Sequence, residues 1–333
     1  MSSFDLLVVG DVNADLVLRG GDLVPSFGQR EQLVDHAELV LGGSGAIVAA
    51  GAARLGLRVA MAGCVGDDAL GRAMLEAFDG VDVSAVRIGA EPTGVSVGLA
   101  RPGDRAVLTA PGALAEFRAE HVPDALLASA RWVHVASPFL QPGLDVAAIA
   151  ARAAGTTSLD PGWDPSERWE LDWEAFDLLL PNAEEARRLA GEEDVQMAAL
   201  QLAGKGPLVV VKLGADGALA AGGVRSGADG PPSEVEGHSE AEGPPSAAGG
   251  RSRAEGAAAG GDGVVRAAAP RVDPVDATGA GDSFDAGFIA ARLTGDGLAA
   301  ALGLGCACGA LSTRAAGGTA GQPTLAEARS FRG

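Results

Sequence analysis

The chain has 333 residues, a formal charge of −19 and 47% hydrophobic side chains, which suits one large α/β domain or two ordinary ones with a substantial core. A nucleic-acid or anionic-membrane surface needs clustered Lys and Arg, and so acidic a chain argues against both. Its three cysteines, Cys64, Cys306 and Cys308, offer neither a disulfide framework nor a zinc ligand set.

Met1 to Gly20 contains Asp5, Asp11 and Asp15 and no basic leader, so a cytoplasmic protein without a signal peptide is expected. Leu6–Val9 reads as the first strand. In the Gly10-Asp11-Val12-Asn13-Ala14-Asp15 stretch after it, Asn13 and Asp15 leave a strand end, where they can bond sugar hydroxyls or simply close a turn. Val12 to Leu39 is polar and irregular, with Pro25 and Gly28. Leu41-Gly42-Gly43-Ser44-Gly45-Ala46 then opens a helix predicted over Ala46–Leu55, and its glycines permit close approach of a ligand to the backbone. It is not a dinucleotide fingerprint, because Val48 stands where the third glycine belongs, and no phosphate-loop motif occurs elsewhere.

Strand Arg58–Ala62 and helix Asp68–Phe78 come next, and then two short runs from Val95 to Leu108 around the hairpin turn Arg101-Pro102-Gly103-Asp104. Segments of about 12–40 and 93–110 can together form a β flap that closes over a site and excludes water. Strands Trp132–Ala136, Thr157–Asp160, Leu178–Leu180 and Leu208–Lys212 alternate with helices Leu144–Ala153, Ala183–Leu189 and Val195–Leu202. This rhythm predicts a parallel sheet with helices on both faces, and ligands in such sheets gather at the carboxyl ends of strands. Pro181-Asn182-Ala183-Glu184-Glu185 follows one such end, either as a plain helix cap or as an Asn/Glu pair ordering water and Mg²⁺. Lys212-Leu213-Gly214-Ala215-Asp216-Gly217 ends another, as a hairpin turn or as a border to a nucleotide.

Gly222 to Gly263 is a Gly/Ala/Pro/Ser/Glu tract between strands Ala218–Ala221 and Val264–Ala268. It lacks the apolar surface to offset its ordering entropy, so a disordered insertion is expected. The uncharged run Gly297 to Thr313 reads as a buried helix, and the four histidines (His36, His121, His134, His238) show no metal spacing.

The most informative stretch is Asp276-Ala277-Thr278-Gly279-Ala280-Gly281-Asp282, followed by an amphipathic pattern from Ser283 to Leu293. Small residues at a helix start let a ligand reach the backbone, and the unpaired N–H groups there favour an anion. Asp282, in that same turn, can take a proton while the amides hold a negative group. That pairing suits moving a phosphoryl group onto a hydroxyl. The same residues also suit a Gly-rich turn whose acid compensates the helix dipole.

In order and spacing these motifs resemble the ribokinase, or PfkB-type, carbohydrate kinase family. The resemblance rests on Asn13-Ala14-Asp15, Gly42-Gly43, Pro181-Asn182-x-x-Glu185 and the Asp276–Asp282 stretch, and spans almost the whole chain apart from Gly222–Gly263. It implies a single domain of three α/β/α layers with a mainly parallel central sheet and a small β lid, often used for dimerisation. It also implies transfer of the γ-phosphoryl group of ATP to a hydroxymethyl group of a sugar or sugar-like substrate. A nucleoside kinase and an inactive binding homologue are the alternatives.

By that analogy Asp282 is the general base, and the amides of Gly279, Ala280, Gly281 and Asp282 hold the transferring group. Asn13, Asp15, Gly42 and Gly43 hold the acceptor, while Asn182, Lys212, Gly214, Gly217, Gly279 and Gly281 border the nucleotide. Glu185 orders Mg²⁺ through water, and Asp276 and Thr278, with the Thr313–Gly318 loop, match a monovalent-cation (K⁺) region. Ile47 stands where many relatives carry an acceptor-contacting Asn, and Ser44 where relatives acting on ribose or sugar phosphates often carry Lys. Both departures weaken the case for ribose or a phosphosugar and leave open a less polar acceptor, such as a nucleoside or deoxy sugar. Ser158 to Pro165 looks more like the fructokinase and ketodeoxygluconate-kinase branches.

Overall fold

The computed structural model describes residues 4–20, 23–101, 104–222 and 263–331. In chain order its first elements are β1 (Phe4–Val9), β2 (Asn13–Arg19), β3 (His36–Gly42), α1 (Ser44–Arg54), β4 (Val59–Gly66), α2 (Ala69–Glu76) and β5 (Val81–Gly89). β6 (Val95–Arg101), β7 (Asp104–Ala110), α3 (Asp124–Ser129), β8 (Ala130–Ala136), α4 (Val146–Arg152), β9 (Thr156–Asp160) and β10 (Leu178–Leu179) follow. The last are α5 (Ala183–Ala190), α6 (Val195–Ala203), β11 (Leu208–Lys212), β12 (Ala218–Ala221), β13 (Val264–Ala267), α7 (Ala280–Leu293), α8 (Leu298–Ser312) and α9 (Leu325–Ser330).

Nine strands make the central sheet, in the order β13-β12-β11-β10-β9-β8-β1-β4-β5. From β11 to β5 every pairing is parallel, and β12 and β13 add an antiparallel edge. Leu6, Leu7, Val8 and Val9 are all buried, the unbroken apolar run expected of a parallel strand covered on both faces. Leu6 and Val8 join Phe284, Phe288 and Leu302 in one core, while Leu7 and Val9 join Leu127, Ile149 and Leu202 in the other. These two cores are the joints of the three-layer α/β/α arrangement that the alternating elements predicted.

Four corrections follow from the structure. Residues 12–39, read as irregular, contain β2 and most of β3, whose alternation is masked by Asp15, Arg19, His36 and Glu38 on a half-exposed sheet. β5 was not anticipated; it is an edge strand with a mixed, partly exposed pattern. The segment read as an amphipathic helix after Asp282 is instead buried from Asp282 to Ala291. The helix expected over Leu144–Ala153 starts at Val146, because Asp145 caps it by accepting the Ala148 N–H at 2.9 Å.

The lid is a separate four-stranded sheet in the order β3-β2-β6-β7. Its register sets Leu39, Leu16, Val97 and Leu108 in one cross-strand row, and Val40, Asp15, Ser96 and Thr109 in the next. Successive residues face opposite sides, so one face of the lid is apolar and the other carries the polar candidates. The expected disordered insertion lies outside the described residues over 223–262, as does the Pro102-Gly103 turn. Among the described residues no helix is long and apolar enough to cross a membrane.

Candidate active site

Gly279 caps α7 with a left-handed φ of 73°, a conformation that side chains resist. A Cβ there would also lie 2.7 Å from the Gly318 backbone. The helix ladder begins with the Ser283 N–H donating to the Gly279 carbonyl at 2.8 Å. The Gly281 and Asp282 amides precede that first bond and point out of the helix start. The Ala280 amide does not join them: it donates to the Ala277 carbonyl at 3.3 Å, which corrects its expected role in the anion hole.

Asp282 is buried in this first turn. Burial pushes its carboxyl up to about 7; the Asp160 charge adds to the rise, Lys212 opposes it, Asp11 adds again and the Ser44 hydroxyl opposes. These neighbours come from four separate elements or their ends. A carboxyl titrating near neutrality beside free amides is equipped to accept a proton from an alcohol.

On the lid side of Asp282 lie the acceptor candidates. A Cβ on Gly42 would collide with the Asp15 carboxyl group, so glycine at 42 is what allows that carboxylate its place. Asp15 shares a small hollow of about 40 Å³ with Val17, Ser96, Gly98 and Thr278. Asn13 is buried; its Nδ2 donates to the Ser96 hydroxyl at 3.2 Å, and its Oδ1 has no partner among the described residues. Gly43 closes on the Asp11 backbone, and Asp11 Oδ1 accepts the Gly45 N–H at 2.9 Å. Asp11, pushed up to about 6 by burial, and Ser44 were not singled out from the sequence as partners of Asp282. Ile47 packs on Gly279 and Gly318, filling the junction of α1, α7 and the Thr313–Gly318 loop.

On the other side a cleft of about 680 Å³ opens between β11–β12, the start of α7 and α8. Lys212, Gly214, Gly217 and Gly281 line it, as expected, whereas Asn182 and Gly279 do not. Much of its remaining wall is the Ala269–Pro274 segment, which includes Arg271 and Asp273, with Gly309 and Ala310 of α8. Nothing in the sequence of those stretches distinguished a cleft wall from ordinary packing.

Three further candidates are held by protein partners. Lys212, expected to border a nucleotide, donates from Nζ to Asp160 Oδ2 at 2.8 Å and Asp285 Oδ2 at 3.0 Å. Glu185 does not face solvent; its Oε2 accepts the Asn182 N–H at 2.8 Å and its Oε1 the Asn182 Nδ2 at 2.6 Å. Burial, then the Asp160 charge, push its carboxyl up to about 8, which suits a closed helix cap rather than an Mg²⁺ water ligand. Asp276 clasps a loop, accepting from the Thr278 N–H and hydroxyl at 2.9 and 2.7 Å and from the Gly317 N–H at 2.9 Å.

Among the described residues no group of three or more His, Cys, Asp or Glu side chains could hold a metal ion. His134 is buried against the Ser158 hydroxyl at 2.8 Å, and burial holds its ring down to about 4, so it stays neutral. After Asp160 the chain turns through Asp164, which caps the Ser166, Arg168 and Trp169 amides. Trp163 stands half-exposed there, edge-on to Trp169 with ring centres 5.3 Å apart.

Comparison with known proteins supplies independent findings. The sequence model of a family described as "pfkB family carbohydrate kinase" matches residues 3–235 and 253–325. The ATP-dependent ribose-1-phosphate kinase of Halopiger xanaduensis is 31% identical, over 92% of this chain and 91% of the relative. The ribokinase of Haemophilus influenzae is 27% identical, over 98% of this chain and 97% of the relative. Arabidopsis thaliana ribokinase, solved with ribose and ATP, superposes with a TM-score of 0.72 over 98% of this chain and 99% of that one. At 22% identity that last likeness shows the fold.

Proposed function

The chain belongs to the pfkB family of carbohydrate kinases, and from this premise we propose that it moves the γ-phosphoryl group of ATP to a hydroxymethyl group of a sugar or sugar-like alcohol held under the lid. The observation that carries this reading is the station of Asp282. It is buried in the first turn of a helix whose leading amides are open, next to Gly281, which lines the cleft, and beside the charges of Asp160, Lys212 and Asp11.

The acceptor oxygen would attack the γ-phosphorus as its proton passes to the Asp282 carboxylate. The bond from that phosphorus to the bridging oxygen breaks, and ADP leaves with the electron pair. The Gly281 and Asp282 amides would meet the charge that builds on the equatorial oxygens. ATP suits a cleft walled by small and apolar residues that ends at a helix start. Mg²⁺ suits this site as a companion of the nucleotide phosphates, keeping most of its water, because Glu185 is closed on Asn182.

Asn13 and Asp15 would orient the acceptor, and the unpartnered Asn13 Oδ1 supports that role. One observation favours a nucleoside over a plain sugar: the half-exposed Trp163 ring beside Asp160, which offers a flat base a surface to pack on. The experiment is ADP release from Mg-ATP over a panel of pentoses, hexoses, deoxy sugars and nucleosides, each with K⁺ or Na⁺. Turnover of one class supports the reading, and faster turnover with K⁺ supports a cation at the Asp276 loop. Tight acceptor binding with no ADP from any member would instead indicate an inactive binding homologue.

We further propose that two copies pair through the apolar faces of their lids, where Leu39 and Leu108 are 48% and 64% exposed. Light scattering should give a dimer that Leu16→Glu/Leu108→Lys converts to monomer. A monomeric parent chain would refute the pairing.

A further inference from the structure

Lysine occurs at two positions in this sequence, 205 and 212, among 25 basic residues. One of the two is buried at the heart of the site. An ammonium is a compact point charge, whereas a guanidinium is a broad planar fork, so a narrow socket between two carboxylates selects lysine even in an arginine-rich chain. The socket is well defined. Lys212 Nζ lies 2.8 Å from Asp160 Oδ2 and 3.0 Å from Asp285 Oδ2, with the three side chains at most 10% exposed. These bonds use two of the three ammonium hydrogens, and Lys212 also lines the cleft.

The lysine runs along the first turn of α7. A Cβ built on Gly281 would lie 3.6 Å from Nζ and 3.8 Å from Cδ and Cε. The ammonium therefore stands directly against the residue whose amide faces the transferring group. Asp285, on the same helix, has no exposure, and its second oxygen has no partner among the described residues. A buried ionic triad is a costly way to fill a core, and apolar side chains of similar size often serve stability better.

Resting on the phosphotransferase reading above, we propose that Asp160 and Asp285 are positioning residues that clamp the Lys212 ammonium against Gly281, fixing a positive charge between the nucleotide cleft and Asp282. There it opposes the negative charge that gathers on the phosphoryl oxygens and steadies the ionised form of the base. Its own charge is secure: burial disfavours it, but Asp160, Asp285 and Glu185 outweigh burial and raise the Lys212 pKa. Burial would raise Asp160 too, yet the Lys212 charge and hydrogen bonds from Asp285 and Lys212 bring it below its ordinary value, while burial pushes Asp285 well above its own, so that Asp160 is the ionised partner of Lys212 and Asp285 the protonated one. The groups facing Asp282 are Asp160 from β9, Lys212 from β11, Asp11 after β1, Ser44 of α1 and Glu185 of α5.

The test is the pH dependence of kcat and KM with Mg-ATP and the best acceptor of the panel. Lys212→Met should lower kcat about 10²-fold, the loss typical of removing one donor to a transition-state charge, and move the acid limb to higher pH. Asp160→Asn should move that limb to lower pH, because it removes a charge that raises Asp282. Asp285→Leu should lower kcat by up to about 10²-fold, the scale of a misplaced group, with the acceptor KM unchanged. A purely structural triad would not shift the limb in opposite directions, and limbs that stay put or move together overturn the proposal. If Lys212→Met does not fold, Lys212→Met/Asp160→Asn carries the test; a wild-type kcat in that variant refutes the clamp. A parent chain that turns over no acceptor refutes the kinase reading itself, and the clamp with it.

Discussion

At the scale of single residues, the burial of Asp282 costs stability at neutral pH. Its carboxyl titrates at about 7 in the folded chain against an ordinary 3.8, so the folded state holds that proton more tightly than the unfolded state. Below 3.8 both states carry the proton; as pH rises toward about 7 the folded state is increasingly penalised, at about 1.4 kcal/mol per pH unit of displacement. Asp282→Asn should therefore melt higher than the parent at pH 8, and the gap should close by about pH 3, below both values. An equal gap at both pH values would contradict a buried, raised carboxyl. Asp282 was legible because its motif is contiguous and its small neighbours announce a helix start. Asp160 and Asp285 were not, since their partner Lys212 lies 52 and 73 positions away and no local pattern encodes that meeting. Glu185 illustrates a third case. The sequence offered both a cap and a metal role, and two hydrogen bonds to Asn182 make the cap.

Among elements, the lid depends on a close approach that tolerates no side chain. Gly42→Ala would drive a methyl group into the Asp15 carboxyl, forcing that acid out of the acceptor hollow. The expected result is an acceptor KM raised roughly tenfold, as for a displaced orienting group, with the KM for ATP unchanged; equal change in both would contradict the lid assignment. The buried strands were legible from unbroken apolar runs such as Leu208 to Val211. β2, β3 and β5 were harder, because a half-exposed strand mixes charged and apolar residues and its period is read only against a partner. α7 misled for the opposite reason. It is wrapped by α1 and α8, with Gly305 admitting the Phe284 ring, and its alternating small residues imitate a polar face.

For the whole molecule, the order of layers followed from the alternation of strands and helices, while the cleft wall at Ala269–Pro274 arose only from tertiary packing. Ala221 and Val264 are direct partners across β12 and β13, so a two-residue Asn-Gly turn in place of 222–263 suits the hairpin. That variant should stay soluble and keep the parent's melting temperature; aggregation or lost activity would mean that the segment contributes more than a connection. The central claim is that one carboxylate, that of Asp282, removes the proton of the acceptor alcohol. The most direct test is kcat of Asp282→Asn with the acceptor that the parent enzyme turns over fastest. A fall of roughly 10²–10⁴-fold is expected, the range of a lost general base, with nucleotide affinity retained. A kcat within a few-fold of the parent would contradict it.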